Sequence, residues 1–125
     1  MGHVYATLTC HGTGGKTARL HLLVDTGASY TWLPATLLKS LGVRPTRSMP
    51  FELGDNRVVR RRVGELQVEI QGIRATTVVV FATRKDANVI GVHALEGLAL
   101  QVDPRRERLR PVEKLLFIPA MATAY

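Results

Sequence analysis

The chain has 125 residues and a mass of 13.8 kDa, a length that fits one domain spanning 1–125. Apolar residues make up 46% and charged residues 22%, close to globular averages, which excludes a disordered or fibrous chain. Lys plus Arg is 17 against 10 for Asp plus Glu, a formal +7 that permits acidic partners or nucleic acid but also serves simply to keep a soluble protein dispersed.

In chain order the pattern is mostly period two. Val4, Ala6, Leu8 and Cys10 alternate with Tyr5, Thr7 and Thr9, which predicts a strand with one buried face. His11-Gly12-Thr13-Gly14-Gly15-Lys16 is turn chemistry, and Ala18, Leu20, Leu22 and Val24 then alternate as a second strand pairing back on the first. Ser29 to Leu33 is β-prone. Pro34 to Leu41 has Pro early, apolar residues at helical spacing and Gly42 as a stop, so it predicts a short helix.

From Pro50 the strand signal resumes. Phe51-Glu52-Leu53 and Val58-Val59-Arg60 flank Gly54-Asp55-Asn56-Arg57, the tip of a hairpin. Val63 to Ile70 alternates, Gly72 marks a turn, and Ile73 to Phe81 follows with a run, Val78 to Phe81, suited to a buried strand. Beyond a polar loop, Arg84 to Asn88, come the brief apolar Val89-Ile90-Gly91-Val92 and a short helix over His93 to Leu98. Leu100 to Val102 and Arg108 to Val112 surround a turn at Asp103-Pro104. Many short strands and two short helices predict an all-β sandwich or barrel.

The informative segment is Leu22-Leu23-Val24-Asp25-Thr26-Gly27-Ala28-Ser29. An apolar strand ends abruptly in an acid, and such a carboxylate is costly unless it is hydrogen-bonded or shares a proton. Gly27 lets backbone N–H groups approach it, and the Thr26 hydroxyl can bond to nearby backbone. A strand closed by an Asx turn would explain Asp-Thr-Gly equally well on its own.

Context adds to the tripeptide. Asp25-Thr26-Gly27-Ala28, with an apolar run before it and Ser29 to Leu33 after it, resembles the active-site strand and loop of retropepsin-like aspartic proteases. Val89-Ile90-Gly91 resembles the family's apolar-apolar-Gly element, which passes beneath that loop and precedes a short helix. The hairpin through Leu53, Gly54, Asp55 and Asn56 lies between them, where the family has its flap. The likeness spans nearly the whole chain and is greatest to the small single-domain prokaryotic members. It implies a closed acid-protease-like barrel and an endopeptidase with Asp25 as catalytic residue, Thr26, Gly27 and Ala28 as active-site loop, and Val89, Ile90 and Gly91 supporting the cleft. Retroviral members often carry Arg-Asn after the apolar-apolar-Gly element; Val92-His93 stands there in this chain, so dimer contacts through that Arg do not carry over.

Peptide hydrolysis by this route needs two facing carboxylates, one ionised to activate water and one protonated to polarise the carbonyl. The chain has four aspartates, Asp25, Asp55, Asp86 and Asp103, of which only Asp25 lies in Asp-Thr-Gly. The second carboxylate is therefore expected from a second copy, in a C2 homodimer with one half-site per chain. A peptide or protein is the expected substrate, with no cofactor and no metal.

Competing motifs are weaker. Gly12-Thr13-Gly14-Gly15-Lys16-Thr17 ends like a phosphate-binding loop, but the required first glycine falls on Cys10 and a strand follows where a helix is needed. His3, His11, His21 and His93 lack metal-ligand spacing. Arg60-Arg61-Arg62 and Arg105 to Arg110 are basic clusters without interleaved aromatics, read as solvated strand faces rather than a nucleic-acid footprint. Leu115-Leu116-Phe117-Ile118 is expected to pack on the body or on a dimer partner, and Val4 to Leu8 to share in a dimer sheet.

Nothing resembles a signal peptide or a membrane span, and the lone Cys10 fits a reducing compartment, so a cytoplasmic protein with no nucleic-acid or membrane partner is expected. Two other functions stay open on the residues: a non-catalytic peptide-binding or dimerisation module on the same fold, and a basic nucleic-acid-binding β-barrel.

Overall fold

In a computed structural model that describes residues 2–120, strand β1 (Tyr5–His11) turns through a 3₁₀ segment (Thr13–Gly15) into β2 (Thr17–Val24). The turn needs glycine at two points, Gly14 and Gly15, whose φ of 62° and 76° lie in the left-handed region that side chains avoid. Next come β3 (Thr31–Pro34), α1 (Ala35–Ser40), β4 (Arg47–Glu52), β5 (Val58–Ile70) and β6 (Ile73–Ala82). The chain continues as β7 (Val89–Ile90), α2 (Val92–Leu98), β8 (Leu100–Asp103) and β9 (Arg108–Pro111). The expected elements are all present, with two differences: Val58 to Ile70, two strands by pattern, is a single 13-residue strand, and β4 begins at Arg47, before the Pro50 where the pattern placed it.

Seven strands form one sheet in the order β1-β2-β7-β3-β6-β5-β4, and β5 also pairs with β1, so the sheet closes into a barrel. The closing seam is short, three register pairs from Thr9↔Glu69 to His11↔Gln67, and is reinforced by His11 Nε2 to Glu69 Oε1 at 2.7 Å. Strand β5 is long because it does two tasks. Residues 63–70 pair with β6 inside the barrel, whereas residues 58–63 pair with β4. Since β6 reaches no further than Val63, the β4–β5 hairpin projects from the barrel as a two-stranded ribbon. β8 and β9 form a separate hairpin, its turn held by Asp103 Oδ1 accepting from the Arg105 and Arg106 amides.

Inward-facing residues at alternate positions fill the barrel: Leu8 and Cys10 from β1, Leu33 from β3, Val68 from β5, Val79 from β6 and Ile90 from β7. Leu38 of α1 and Ala94, Leu95 and Leu98 of α2 cap it. Burial pushes the Cys10 thiol up to about 11, so Cys10 is a core side chain and not a nucleophile. Among the described residues no helix is long and apolar enough to cross a membrane.

One expectation is narrowed and another needs correction. Of the two places expected for Leu115 to Ile118, the body is not one: Leu116 and Phe117 are 85% and 83% exposed on the isolated chain. The further part of that tail, residues 121–125, lies outside the described residues, as does Met1. Arg60-Arg61-Arg62 is also not a uniformly solvated face. Strand alternation points Arg60 and Arg62 outward but turns Arg61 inward against Asp86.

Leu33 is fully buried in the barrel, so Leu33→Ala removes apolar area and leaves a cavity. The expected loss is about 3 kcal/mol, read as a lower urea midpoint at unchanged slope.

Candidate active site

The Asp25 loop is positioned by chain crossing. β2 and β3 are consecutive in sequence but not neighbours; β7 lies between them, parallel to β2 through Leu23↔Val89 and Val24↔Ile90 and antiparallel to β3 through Trp32↔Val89. The connection from Asp25 to Tyr30 therefore has to pass over the end of β7. Apolar Val89 and Ile90 suit that place, since a strand with neighbours on both edges is buried.

Hydrogen bonds then fix the loop from below. The Asp25 amide donates to the Ile90 carbonyl at 2.9 Å, and the Gly91 amide donates to the buried Thr31 Oγ1 at 3.0 Å. Gly91 is required by close approach: a Cβ there would run into the Tyr30 carbonyl and lie 2.9 Å from the Ala28 oxygen. Helix α2 starts at once, and its first free amides, of Val92 and His93, donate to the Ala28 and Ser29 carbonyls at 2.9 Å each. Above this support the Gly27 amide donates to Asp25 Oδ1 at 2.9 Å, the approach expected of a glycine two residues after the acid. The side chain of Thr26 is exposed.

Over the loop opens a cleft of about 1030 Å³. Its floor is Asp25 to Tyr30. Its walls are the β4 end of the ribbon, from Met49 to Gly54, and the loop Lys85 to Ala87 together with the start of α2. Of the residues singled out in the sequence, Asp25, Thr26, Gly27, Ala28, Leu53, Gly54 and Val89 line this cleft. Ile90 and Gly91 lie buried beneath it, and Asp55 and Asn56 stand outside its lining. The hairpin tip is closed by the Leu53 amide donating to the Arg57 carbonyl at 2.8 Å. Its left-handed residue is Asn56, φ 68°, and not Gly54.

Sequence reasoning missed the aromatic wall. Phe51 packs edge-to-face against Trp32 at 5.1 Å and Tyr30 at 6.3 Å, and Tyr30 meets His93 at 5.6 Å. The signal was available as parity: Thr31 and Leu33 face the core, so Tyr30 and Trp32 fall on the other face of β3. It also missed Asp86, the second aspartate of the cleft. Arg61 Nε and Nη2 donate to its two oxygens at 2.8 and 3.0 Å, and the Thr83 amide and hydroxyl donate to it at 2.8 and 3.0 Å. Arg61 foremost, with Thr83, holds the Asp86 carboxyl down at about 2. Asp86 is thus committed as an anion and is unsuited to share a proton with Asp25. Among the described residues no three His, Cys, Asp or Glu side chains converge as a metal site.

Thr31→Val keeps the shape but leaves the buried Gly91 amide without an acceptor, at an expected cost of about 1–3 kcal/mol by urea denaturation. Because the folded Asp86 pKa lies below its ordinary value, its contribution to stability is present above about pH 4 and is lost as pH falls through about 2. Asp86→Asn should cost roughly 2 kcal/mol at neutral pH and flatten the decline in stability over that acid window, measured by denaturation at a series of pH values.

The chain matches the aspartyl protease family over residues 7–94, which runs from β1 through the Asp25 loop, the ribbon and β7 into α2. No curated protein matches it. An Asp-Thr-Gly loop over a buried apolar-apolar-Gly strand, a hairpin facing it across a cleft, and a family match over most of the length agree: the chain belongs to the aspartyl protease family.

Proposed function

We propose that the chain is one half of an aspartic endopeptidase, active as a C2 homodimer in which the two Asp25 carboxylates meet at the axis. The observation that carries this reading is the state of the cleft aspartates. Asp25 sits on the floor with one oxygen held by the Gly27 amide, while Asp86, the only other aspartate lining the cleft among the described residues, is bound bidentately by Arg61. A second, proton-sharing aspartate is therefore sought from another copy of the same loop.

The chemistry needs nothing beyond that pair. The ionised Asp25 takes a proton from a water molecule as the oxygen attacks the scissile carbonyl carbon. The protonated Asp25 of the second copy donates to the carbonyl oxygen. Collapse of the tetrahedral intermediate breaks the C–N bond and delivers a proton to the leaving amine. Thr26 is assigned to bracing the loop across the axis, and the exposed run Leu115 to Ile118 is available for burial against the partner.

An extended substrate fits between floor and ribbon as an added strand, with the tip from Leu53 to Asn56 closing over it as a flap and excluding water. Tyr30, Trp32 and Phe51 offer an apolar wall to bulky side chains. Arg61 is withdrawn from the middle of the basic triplet into an ion pair, which leaves that strand less suited to a nucleic acid.

Digestion of a peptide library at about pH 3 to 7 by wild-type and Asp25→Asn protein tests the proposal, with solution mass measured alongside. Asp25→Asn should lower cleavage by about a hundred- to ten-thousandfold and leave a dimer of unchanged mass. Cleavage retained by the variant removes Asp25 from the mechanism. A dimer that cuts nothing at any pH is the non-catalytic peptide-binding module instead, and a monomer at every workable concentration leaves Asp25 without a mate.

A further inference from the structure

We propose that the Arg61–Asp86 pair is a strap that couples the flap ribbon to the loop after β6, which also lines the cleft, making Arg61 and Asp86 positioning residues for substrate. Only the kinetic part of its test rests on the peptidase reading. The starting point is that residues 47–62, where β4 pairs with β5 beyond the reach of β6, form a two-stranded hairpin. Such a hairpin alone is marginal in water. Its direction has to be set by what its side chains hold, and the two strands hold different things.

β4 leans on the floor through Phe51, packed on Tyr30 and Trp32. That contact is apolar, non-directional and lies where substrate side chains would enter. β5 holds through Arg61, opposite Met49 in the register. The Arg61 guanidinium is fixed at three points, the two Asp86 oxygens and the Arg60 carbonyl at 2.8 Å. Asp86 is fixed in turn by Thr83, which makes the loop after β6 a rigid anchor. The side chains are 19% and 8% exposed, so water competes poorly for either.

Asp86 itself lines the cleft, and Val89, three residues on, enters β7 beneath Asp25. One ion pair thus ties the ribbon, the loop after β6 and the approach to the catalytic support into a single body. Cutting it frees the ribbon to swing on Phe51 and widens the space a peptide must fill. The Asp25 loop keeps its own hydrogen bonds from below. Binding is therefore expected to suffer more than chemistry.

The test is a double-mutant cycle on the full chain with Arg61→Gln, Asp86→Asn and the pair together. Each single change should raise KM for a cleaved peptide by about tenfold with kcat within about twofold, and the double variant should be no worse than the worse single one. Unchanged KM despite lowered stability, or single effects that simply multiply, overturns the strap. Amide hydrogen exchange gives a readout that needs no activity. Arg61→Gln should speed exchange in residues 83–88 as well as in the ribbon, leaving β8 and β9 as they were; acceleration confined to β5 overturns the strap. If wild-type protein cuts no peptide, the peptidase reading falls and the exchange result still decides the strap.

Discussion

A loop that must present a carboxylate to solvent cannot also rely on its own backbone for rigidity, and here the rigidity comes from a two-residue strand below it. Val89 and Ile90 pass between β2 and β3, and within four residues the chain from Ile90 to His93 makes four hydrogen bonds to the Asp25–Thr31 segment. Buried amides must find acceptors, so each of these bonds is obligatory for the segment that supplies it. The loop over the end of β7 is thus held by groups that would be costly to leave unpaired. Helix α2 adds to this economy, because its first amides, free of intrahelical partners, spend themselves on the loop carbonyls.

The rest of the cleft divides into a rigid part and a movable one. Floor and loop wall are carried by the closed barrel and by α2, where inward residues from at least five strands interlock. The near wall belongs to a ribbon that has left the barrel and keeps only side-chain holds on it. This division suits the proposed closure over an extended peptide, for which motion is wanted at the ribbon and not at the acid. It also explains the placement of charge. Asp25 is left open on the floor, whereas Asp86, on the wall, is neutralised by an arginine drawn from an otherwise basic, exposed strand face.

The apolar tail adds a constraint from outside the barrel. Four adjacent large side chains, Leu115 to Ile118, stand in water on the isolated chain, and Val58 near the ribbon tip does too. Exposed apolar runs of this kind favour association. The proposed homodimer, joining two Asp25 loops, would give these side chains somewhere to go.

Element order, the barrel class, the hairpin facing the cleft and the Asp25 loop were legible in the linear chain because each depends on local rules: alternation for strands, Gly14-Gly15 for a left-handed turn, an acid followed by Thr-Gly at a strand end. Gly27 could be assigned its approach to Asp25 for the same reason, the two being only two residues apart. What the chain in one dimension did not reveal were pairings across long separations. Arg61 read as one of three equivalent arginines, and only the register of β5 against β4 and β6 turned it inward to meet Asp86, 25 residues on. Phe51 joined Tyr30 and Trp32 by the same kind of folding back. Composition and period determined which elements form and which face of each is apolar. Which polar groups meet at the cleft was decided by strand register in the folded sheet, because a contact between distant residues has no local energy from which it could have been inferred.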